Sequence, residues 1–315
     1  MKAVDHTFAD IELPKPSPSG RDLLVKVEAV SVNPVDYKQR KQATGSRILG
    51  WDAAGTVVGV GKDVSLFKVG DDVYYAGDVT RPGCDSEFHL VDERIVGRKP
   101  KKLDFAQAAA MPLTSITAWE AFFDRLKIKP PKSMLIISGA GGVGSIAIQL
   151  AKIAGLHVTA TASRPESVAW VKELGADHVV DHRKSLSEQV KQADYVANFS
   201  GDLDAYWDAM AQIVAPQGAV VAIVPNQKPL SMDVVRSKSA SVCWELMFTR
   251  PRFQTPDMIE QHRLLNTVAD WLDAGKLRCT LKETLSPING ANLRKAHEKL
   301  EAGTMIGKLV LKGWR

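Results

Sequence analysis

The chain has 315 residues, 45% hydrophobic and 24% charged, with a formal net charge of +5. That is enough chain for two well-formed cores, and the composition excludes disordered and fibrous classes. No apolar run approaches the roughly 20 residues a membrane helix needs. The Lys and Arg residues are scattered and not interleaved with aromatics, so the charge supports a mild pull on anionic ligands and no nucleic-acid face. The N-terminal stretch MKAVDHTFADIELPKP lacks an apolar signal core and carries acids early, so the expected location is cytoplasmic. Cys84, Cys243 and Cys279 are odd in number and far apart, the pattern of reduced thiols packed as small hydrophobes.

The first hundred residues read as β-rich. Leu23–Val30 alternates, with Val25 and Val27 on one face and Lys26 and Glu28 on the other. Gly55–Val60, Val73–Tyr75 and Glu87–Val91 are further short strands separated by turns such as Val69-Gly70-Asp71-Asp72. This spacing suggests a small, partly open barrel. Phe105–Met111 and Thr117–Leu126 then have helical spacing, and Pro130-Pro131 breaks the chain.

Beyond that break strands and helices alternate. Met134–Ser138 is a strand, and Val143–Ala154 a helix with Ile146, Leu150 and Ile153 on one stripe. Strand His157–Thr161, helix Pro165–Leu174, strands His178–Val180 and Tyr195–Phe199, helix Ala205–Val214 and strand Ala219–Val224 follow. Repeated β-α-β units predict an α/β fold with a doubly wound parallel sheet. Thr255-Pro256 reads as an N-cap before a helix running to about Leu272, and Lys308–Leu311 as a last strand.

Gly139-Ala140-Gly141-Gly142-Val143-Gly144 follows a strand directly and opens a helix, the context in which GxGxxG becomes a dinucleotide fingerprint. Gly139 suits the tight turn, Gly141 the close approach of backbone to a pyrophosphate, and Gly144 close packing of helix on strand. The amides of Gly142 and Val143 lie at the positive end of the helix. The next strand ends in Thr161-Ala162-Ser163-Arg164-Pro165, with no acid until Glu166. An acid there would hold a ribose 2′-hydroxyl, whereas Ser163 with Arg164 suits a 2′-phosphate, so the expected cofactor is NADPH. Arg164 as a solvated loop arginine is the alternative. His182, just past the third strand, offers adenine stacking or a second cation.

Several stretches together resemble the medium-chain dehydrogenase/reductase superfamily, in its quinone oxidoreductase (zeta-crystallin-like) branch with zinc-type alcohol dehydrogenase-like members. They are Val27–Asp36, Leu49–Gly55, Ala108–Trp119, Ser138–Ala151, Thr159–Asp177, Cys243–Arg250 and Gly307–Leu311, spread over the whole chain. The segments near His6 and Lys38–Ile48 are shorter than in relatives. The resemblance implies a Rossmann domain over residues 113–256 and a discontinuous GroES-like domain made of 1–112 and 257–315. It also implies a homodimer, with Ser241–Trp244 as the strand that pairs across it.

Relatives with catalytic zinc place ligands at the positions of Asn33, Trp51 and Thr114. These side chains do not make the three-ligand set zinc needs, so no metal is expected. The resemblance puts Asn33, Tyr37 and Trp51 along the substrate cleft beside the nicotinamide. There Tyr37 is a candidate proton or hydrogen-bond donor and Asn33 orients a substrate oxygen, with Tyr37 as a plain wall aromatic the alternative. Thr117 matches a nicotinamide contact, or is only a helix-start hydroxyl. Lys308 approaches the pyrophosphate or is a surface lysine. Phe248 and Phe253 face the pocket or belong to the core.

Without a Lewis acid, the expected acceptors delocalise their own charge: quinones first, alkenals and enones second. A rival reading is an NADPH-binding protein with little turnover, and a zinc alcohol dehydrogenase is disfavoured by the missing ligands.

Overall fold

In the computed structural model, residues 2–4, 7–43 and 45–314 are described. His6, and Thr44 within the shortened Lys38–Ile48 stretch, lie outside them. Two compact units emerge, one of Met1–Ile116 with Phe248–Arg315 and one of Thr117–Met247. The returning segment thus starts at Phe248, where the sequence led us to expect residue 257.

The first unit is built on strand Asp22–Ser31, which is buried almost throughout apart from Lys26. It pairs with three strands along its two edges. Its partners are Ala53–Val60 (Val25 opposite Val57), Phe88–Asp92 (Val25 opposite His89) and the C-terminal Lys308–Lys312 (Val30 opposite Leu311), all antiparallel. Asp72–Tyr75, Val96–Arg98 and Leu281–Leu285 complete a seven-stranded sheet. Gly55 is obligatory in its strand, since a Cβ would stand 2.1 Å from the Lys26 carbonyl oxygen. Leu23, Val25, Val27, Val57, Val73, Leu309 and Leu311 fill the core.

Helix Glu260–Asp273 packs on this sheet through Leu264, Leu265, Val268, Ala269 and Leu272, an amphipathic stripe. Gly97 makes room for it, because a Cβ there would meet Leu265 Cβ at 2.6 Å, and the Tyr74 hydroxyl donates to the Leu265 carbonyl. The helix begins at Glu260 and not beside Thr255-Pro256. The Thr255 hydroxyl donates to Asp257 Oδ1 at 2.6 Å, and Arg250 pairs with the same carboxylate, so this stretch closes as a turn. Helices Pro34–Gln42 and Gly290–Glu301 escaped the sequence reading, as did the short Leu186–Gln189, Asp233–Ser237 and Thr249–Phe253.

The second unit is a six-stranded sheet, parallel throughout. Its order is His178–Val180, His157–Thr161, Ser133–Ile137, Ala193–Asn198, Val214–Ala222, Ser241–Trp244. The order reverses beside Ser133–Ile137, the switch point of a doubly wound Rossmann sheet. Leu135, Ile137, Val196, Val220, Trp207 and Met210 form its core. Helix Gly142–Ile153 buries Ile146, Ala147, Leu150 and Ala151, while Ile153, expected on that stripe, is exposed at the helix end.

Where a regular helix was expected through Leu126, Glu120–Arg125 is a π-helical turn, with Leu126 N–H bonded to the Ala121 carbonyl. It carries Glu120, fully buried, onto Glu245, which follows the last strand and is buried too. The two carboxyls share a hydrogen bond, and Arg125 Nε donates to Glu245 Oε2 at 2.8 Å. Burial first, then the neighbouring Glu120, pushes Glu245 from its usual 4.5 up to about 9. A carboxyl raised in this way takes up a proton on folding between the two values, so stability falls as pH climbs from about 4.5 to about 9. Chemical denaturation at pH 5 and pH 9 should show wild type losing about 5 kcal/mol at most across that window and Glu245→Gln losing much less. Equal slopes would mean that Glu245 is not the group holding the proton.

Candidate active site

In the second unit the glycine-rich turn joins strand Ser133–Ile137 to helix Gly142–Ile153. The left-handed residue of the turn is Ser138 (φ 64°), not Gly139 as the fingerprint suggests. Gly139 serves space instead, since a Cβ would lie 2.9 Å from Ala160 Cβ, and Gly144 is tighter still, 2.2 Å from the Ser138 carbonyl oxygen. Thr161, which the motif reading left out, holds the turn by accepting from Ser138 N–H at 2.9 Å. The first helical bond is Ser145 N–H to the Gly141 carbonyl, so the amides of Gly142, Val143 and Gly144 precede the ladder. Backbone donors at a helix N-terminus, on a turn whose Gly139 and Gly144 leave no room for a Cβ, fit a dinucleotide phosphate.

Ser163, Arg164 and His182 come together at the ends of the two neighbouring strands. The Ser163 hydroxyl is 3.5 Å from His182 Nε2, and Arg183 Nη2 donates to the Ser163 carbonyl at 3.1 Å. The Arg164 amide is bonded to Ser167 Oγ, which fixes the start of helix Pro165–Glu173. The strand reading did not weigh Asp181, an acid at the end of the adjacent strand. Arg183 grips its carboxylate at 2.8 Å and holds it below the usual carboxylate range. Ser163 and Asp181 line one open groove of about 380 Å³. Thr117 is buried on helix Pro112–Trp119.

In the first unit, Asn33, Asp36 and Tyr37 open helix Pro34–Gln42, with Pro34 in the first turn. Asn33 is a good N-cap type, yet its side chain is spent elsewhere. Oδ1 accepts from Lys308 Nζ, while Nδ2 donates to Asp52 Oδ2 at 2.8 Å and to the Ser31 carbonyl at 3.4 Å. Asp36 Oδ2 takes the Asn33 amide at 2.5 Å. Its other oxygen is buried without a partner, and burial, then Asp85, raises Asp36 well above the usual carboxylate range.

Three expectations change here. Asn33 is 2% exposed with both ends of its amide engaged, so it has nothing left to orient a substrate oxygen. Lys308 is 3% exposed, neither a surface lysine nor a phosphate contact, because all three ammonium donors go to Val32 O, Asn33 Oδ1 and Asp52 Oδ2. Trp51 is buried rather than lining an open wall. Its Nε1 donates to the Asp78 carbonyl, Phe248 meets its ring edge-on, and Arg47 lies over it. Phe248 is therefore core, while Phe253 is exposed. Tyr37 differs from all of these. It is half-buried, Lys41 stacks on its ring, and no protein hydrogen bond involves its hydroxyl among the described residues.

A separate groove of about 810 Å³ in this unit runs beside the extended Asp10–Pro16 segment, with Phe88 and Trp314 among its walls and none of the residues above. The three cysteines are free thiols. No helix among the described residues is long and apolar enough to cross a membrane.

Residues 19–101 match the alcohol dehydrogenase GroES-like domain, and residues 174–311 match the zinc-binding dehydrogenase family. A zinc-type alcohol dehydrogenase-like protein of Staphylococcus aureus is 42% identical over 96% of this chain and 94% of its own. The chain belongs to the medium-chain dehydrogenase/reductase superfamily. Another relative, the tomato 2-methylene-furan-3-one reductase, is 31% identical over 92% of this chain and 71% of its own. Among solved structures, a Rhizobium etli protein described as a zinc-dependent alcohol dehydrogenase superposes with a TM-score of 0.93. It is 53% identical, covering 97% of this chain and 93% of the other. The Coxiella burnetii quinone oxidoreductase gives a TM-score of 0.82 at 28% identity, covering 98% and 97%.

As a member of this superfamily the chain is an oxidoreductase with a nicotinamide-cofactor fold, and the glycine turn with its helix amides fits such a cofactor. Zinc fits poorly. The Trp51 indole offers no lone pair to a metal, Thr114 Oγ1 is bonded to the Met111 carbonyl at 3.2 Å, and Asn33 Oδ1 already faces an ammonium. No group of three His, Cys, Asp or Glu side chains able to hold a metal occurs among the described residues.

Proposed function

We propose that this superfamily member is an NADPH-dependent reductase of quinones and other electron-poor conjugated carbonyls that works without zinc. The observation that carries the reading is the donor set. The places of zinc ligands hold Asn33, Trp51 and Thr114, each committed inside the first unit, and Tyr37 keeps a half-buried hydroxyl with no hydrogen bond among the described residues. NADPH supplies a hydride when bound. The acceptor's developing negative charge is then met by hydrogen bonds, of which Tyr37 gives one. A few such bonds supply roughly 3–6 kcal/mol, enough for a delocalised quinol or enolate anion and too little for a localised alkoxide. The conjugated exocyclic enone in the tomato relative's name and the quinone in the Coxiella protein's both support this substrate class.

Preference for NADPH rests on Ser163, Arg164 and His182, with Arg183 turned aside to Asp181. Removing one charge-assisted contact should cost about 2 kcal/mol, so Arg164→Ala should weaken NADPH binding about 30-fold and barely change NADH. Equal weakening of both cofactors, read by fluorescence titration, would reassign Arg164 to loop support.

In steady-state assays, ortho- and naphthoquinones should be fast, enones slower and simple alcohols inert. Burial raises the Tyr37 hydroxyl above its ordinary 10, so it stays protonated as a donor at neutral pH. Tyr37→Phe should slow enones more than quinones, because a quinol anion can collect its proton from water. Brisk NADP-linked oxidation of simple alcohols would overturn the mechanism. Silence with every quinone and enone would favour a cofactor-binding protein with little turnover.

A homodimer belongs to the same proposal. Ser241–Trp244 ends the parallel sheet with one side unpaired, and Trp244 and Leu246 are 45% and 47% exposed. An apolar free edge of this kind is an association liability in a monomer. Sedimentation at micromolar concentration should show dimer, and monomer alone would remove this part.

A further inference from the structure

Lys308 opens the C-terminal strand, and its backbone is fixed independently of its side chain. Its amide donates to the Thr280 carbonyl at 2.9 Å, while Leu309 O accepts from Val32 N–H and from the Ser31 hydroxyl. From this anchored position the ammonium meets three oxygens belonging to two other stretches of chain: Val32 O at 2.9 Å, Asn33 Oδ1, and Asp52 Oδ2 at 3.1 Å. Asp52 is also fully buried, and its second oxygen accepts the Leu113 amide at 2.8 Å, at the start of helix Pro112–Trp119. One cation therefore joins the C-terminal strand, the turn before helix Pro34–Gln42, the start of strand Ala53–Val60, and the amide of Leu113.

We infer that Lys308 is a positioning residue, a tethered internal cation that sets the Val32–Asn33 turn and through it the placement of Tyr37 at the first turns of the following helix. Three convergent acceptors, one of them anionic, suit the three diverging donors of an ammonium. The planar fork of arginine does not reproduce that geometry, and a neutral side chain leaves Asp52 as a buried charge without a counter-charge. Asn33 transmits the position, because its side chain is held by Lys308 and Asp52 while its amide is held by Asp36 on the helix.

The test uses the full-length protein in three variants: Lys308→Ala, Lys308→Met, and Lys308→Met with Asp52→Asn. Thermal midpoints and NADPH affinity are measured alongside turnover with a naphthoquinone and an enone. Lys308→Ala should lower the midpoint and cut kcat for the enone on the order of 100-fold, with NADPH affinity little changed. n-Propylammonium should refill the space left by the side chain and restore midpoint and kcat together, whereas tetramethylammonium, which has no N–H donor, should do neither. If Lys308→Ala fails to fold alone, refolding with n-propylammonium should recover soluble protein.

The double variant should be no less stable than Lys308→Met, because it removes both buried charges. In a Tyr37→Phe background, Lys308→Ala should cost little more, the signature of acting through Tyr37. Normal activity and midpoint in Lys308→Ala, rescue by neither amine, or additive losses in either combination would each overturn the inference. The kinetic arm rests on the proposed function, but the midpoint and refolding arms do not. A wild type that reduces no acceptor, together with a rescued midpoint, would refute the function and leave the internal cation standing.

Discussion

A lysine ammonium taken out of water has to be surrounded by oxygen, and the polar interior of the first unit is arranged around that requirement. Of the five carboxyls buried there (Asp36, Asp52, Asp78, Asp85 and Glu93), Asp52 contacts Lys308 directly. Asp36 is raised chiefly by burial and then by Asp85, and burial brings Asp85 to about 7. Arg21 matches the buried Glu93 from the surface, while Lys308 and Asp52 form an ion pair buried at both ends, so neither carboxylate is left as an unpaired buried charge. The same pair closes the discontinuous domain, since Lys308 arrives from the far end of the chain, 256 positions from Asp52.

Strand pairing and side-chain chemistry cooperate in this closure. Strand Lys308–Lys312 is buried except at its last residue, so it is an interior strand of the sheet and a lysine at its head points inward. A reading by residue type makes such a lysine a surface or phosphate group. The pattern Lys-Leu-Val-Leu is the available clue, because a short strand buried on both faces leaves its polar residue no solvent side. Asn33 misleads in the same way. Asn before Pro, with Asp three residues after the Asn, marks a helix start that could have revealed Pro34–Gln42, but it does not say that the amide faces away from the helix. What periodicity does show is the β-α-β succession of the second unit, where buried apolar strands alternate with amphipathic helices over more than a hundred residues. Contacts between residues far apart in sequence, such as Lys308 with Asn33, leave no local trace.

The glycine turn illustrates how a motif can point to the right place for a partly wrong reason. Its strained residue is Ser138, left-handed at φ 64°, and two of its glycines, Gly139 and Gly144, are there because a Cβ would strike the adjacent strand or the backbone. Cofactor choice has a similar subtlety. The absence of an acid at the end of strand His157–Thr161 is visible in sequence, but Asp181 on the next strand stands close enough for Arg183 to bridge it to the Ser163 carbonyl. If, as proposed, a 2′-phosphate binds here, an acid nearby would oppose it unless its charge is matched; Arg183 matches Asp181, leaving Ser163 and His182 facing one another and Arg164 at the head of the next helix.

Relatives of this chain carry zinc in their names, and the physical contrast with its own residues is instructive. A catalytic zinc keeps a coordination position open, so its charge acts directly on a substrate oxygen. The lysine beside Asn33 also carries positive charge, but all three of its donors are consumed by protein oxygens. It therefore orders the turn without being able to polarise a bound carbonyl. On the proposed reading, activation then divides between a hydroxyl at Tyr37 and conjugation in the acceptor itself. A site of that kind selects substrates by how well they spread an incoming electron pair, which makes the electron affinity of the acceptor, more than its shape, the property that the residues of this domain require.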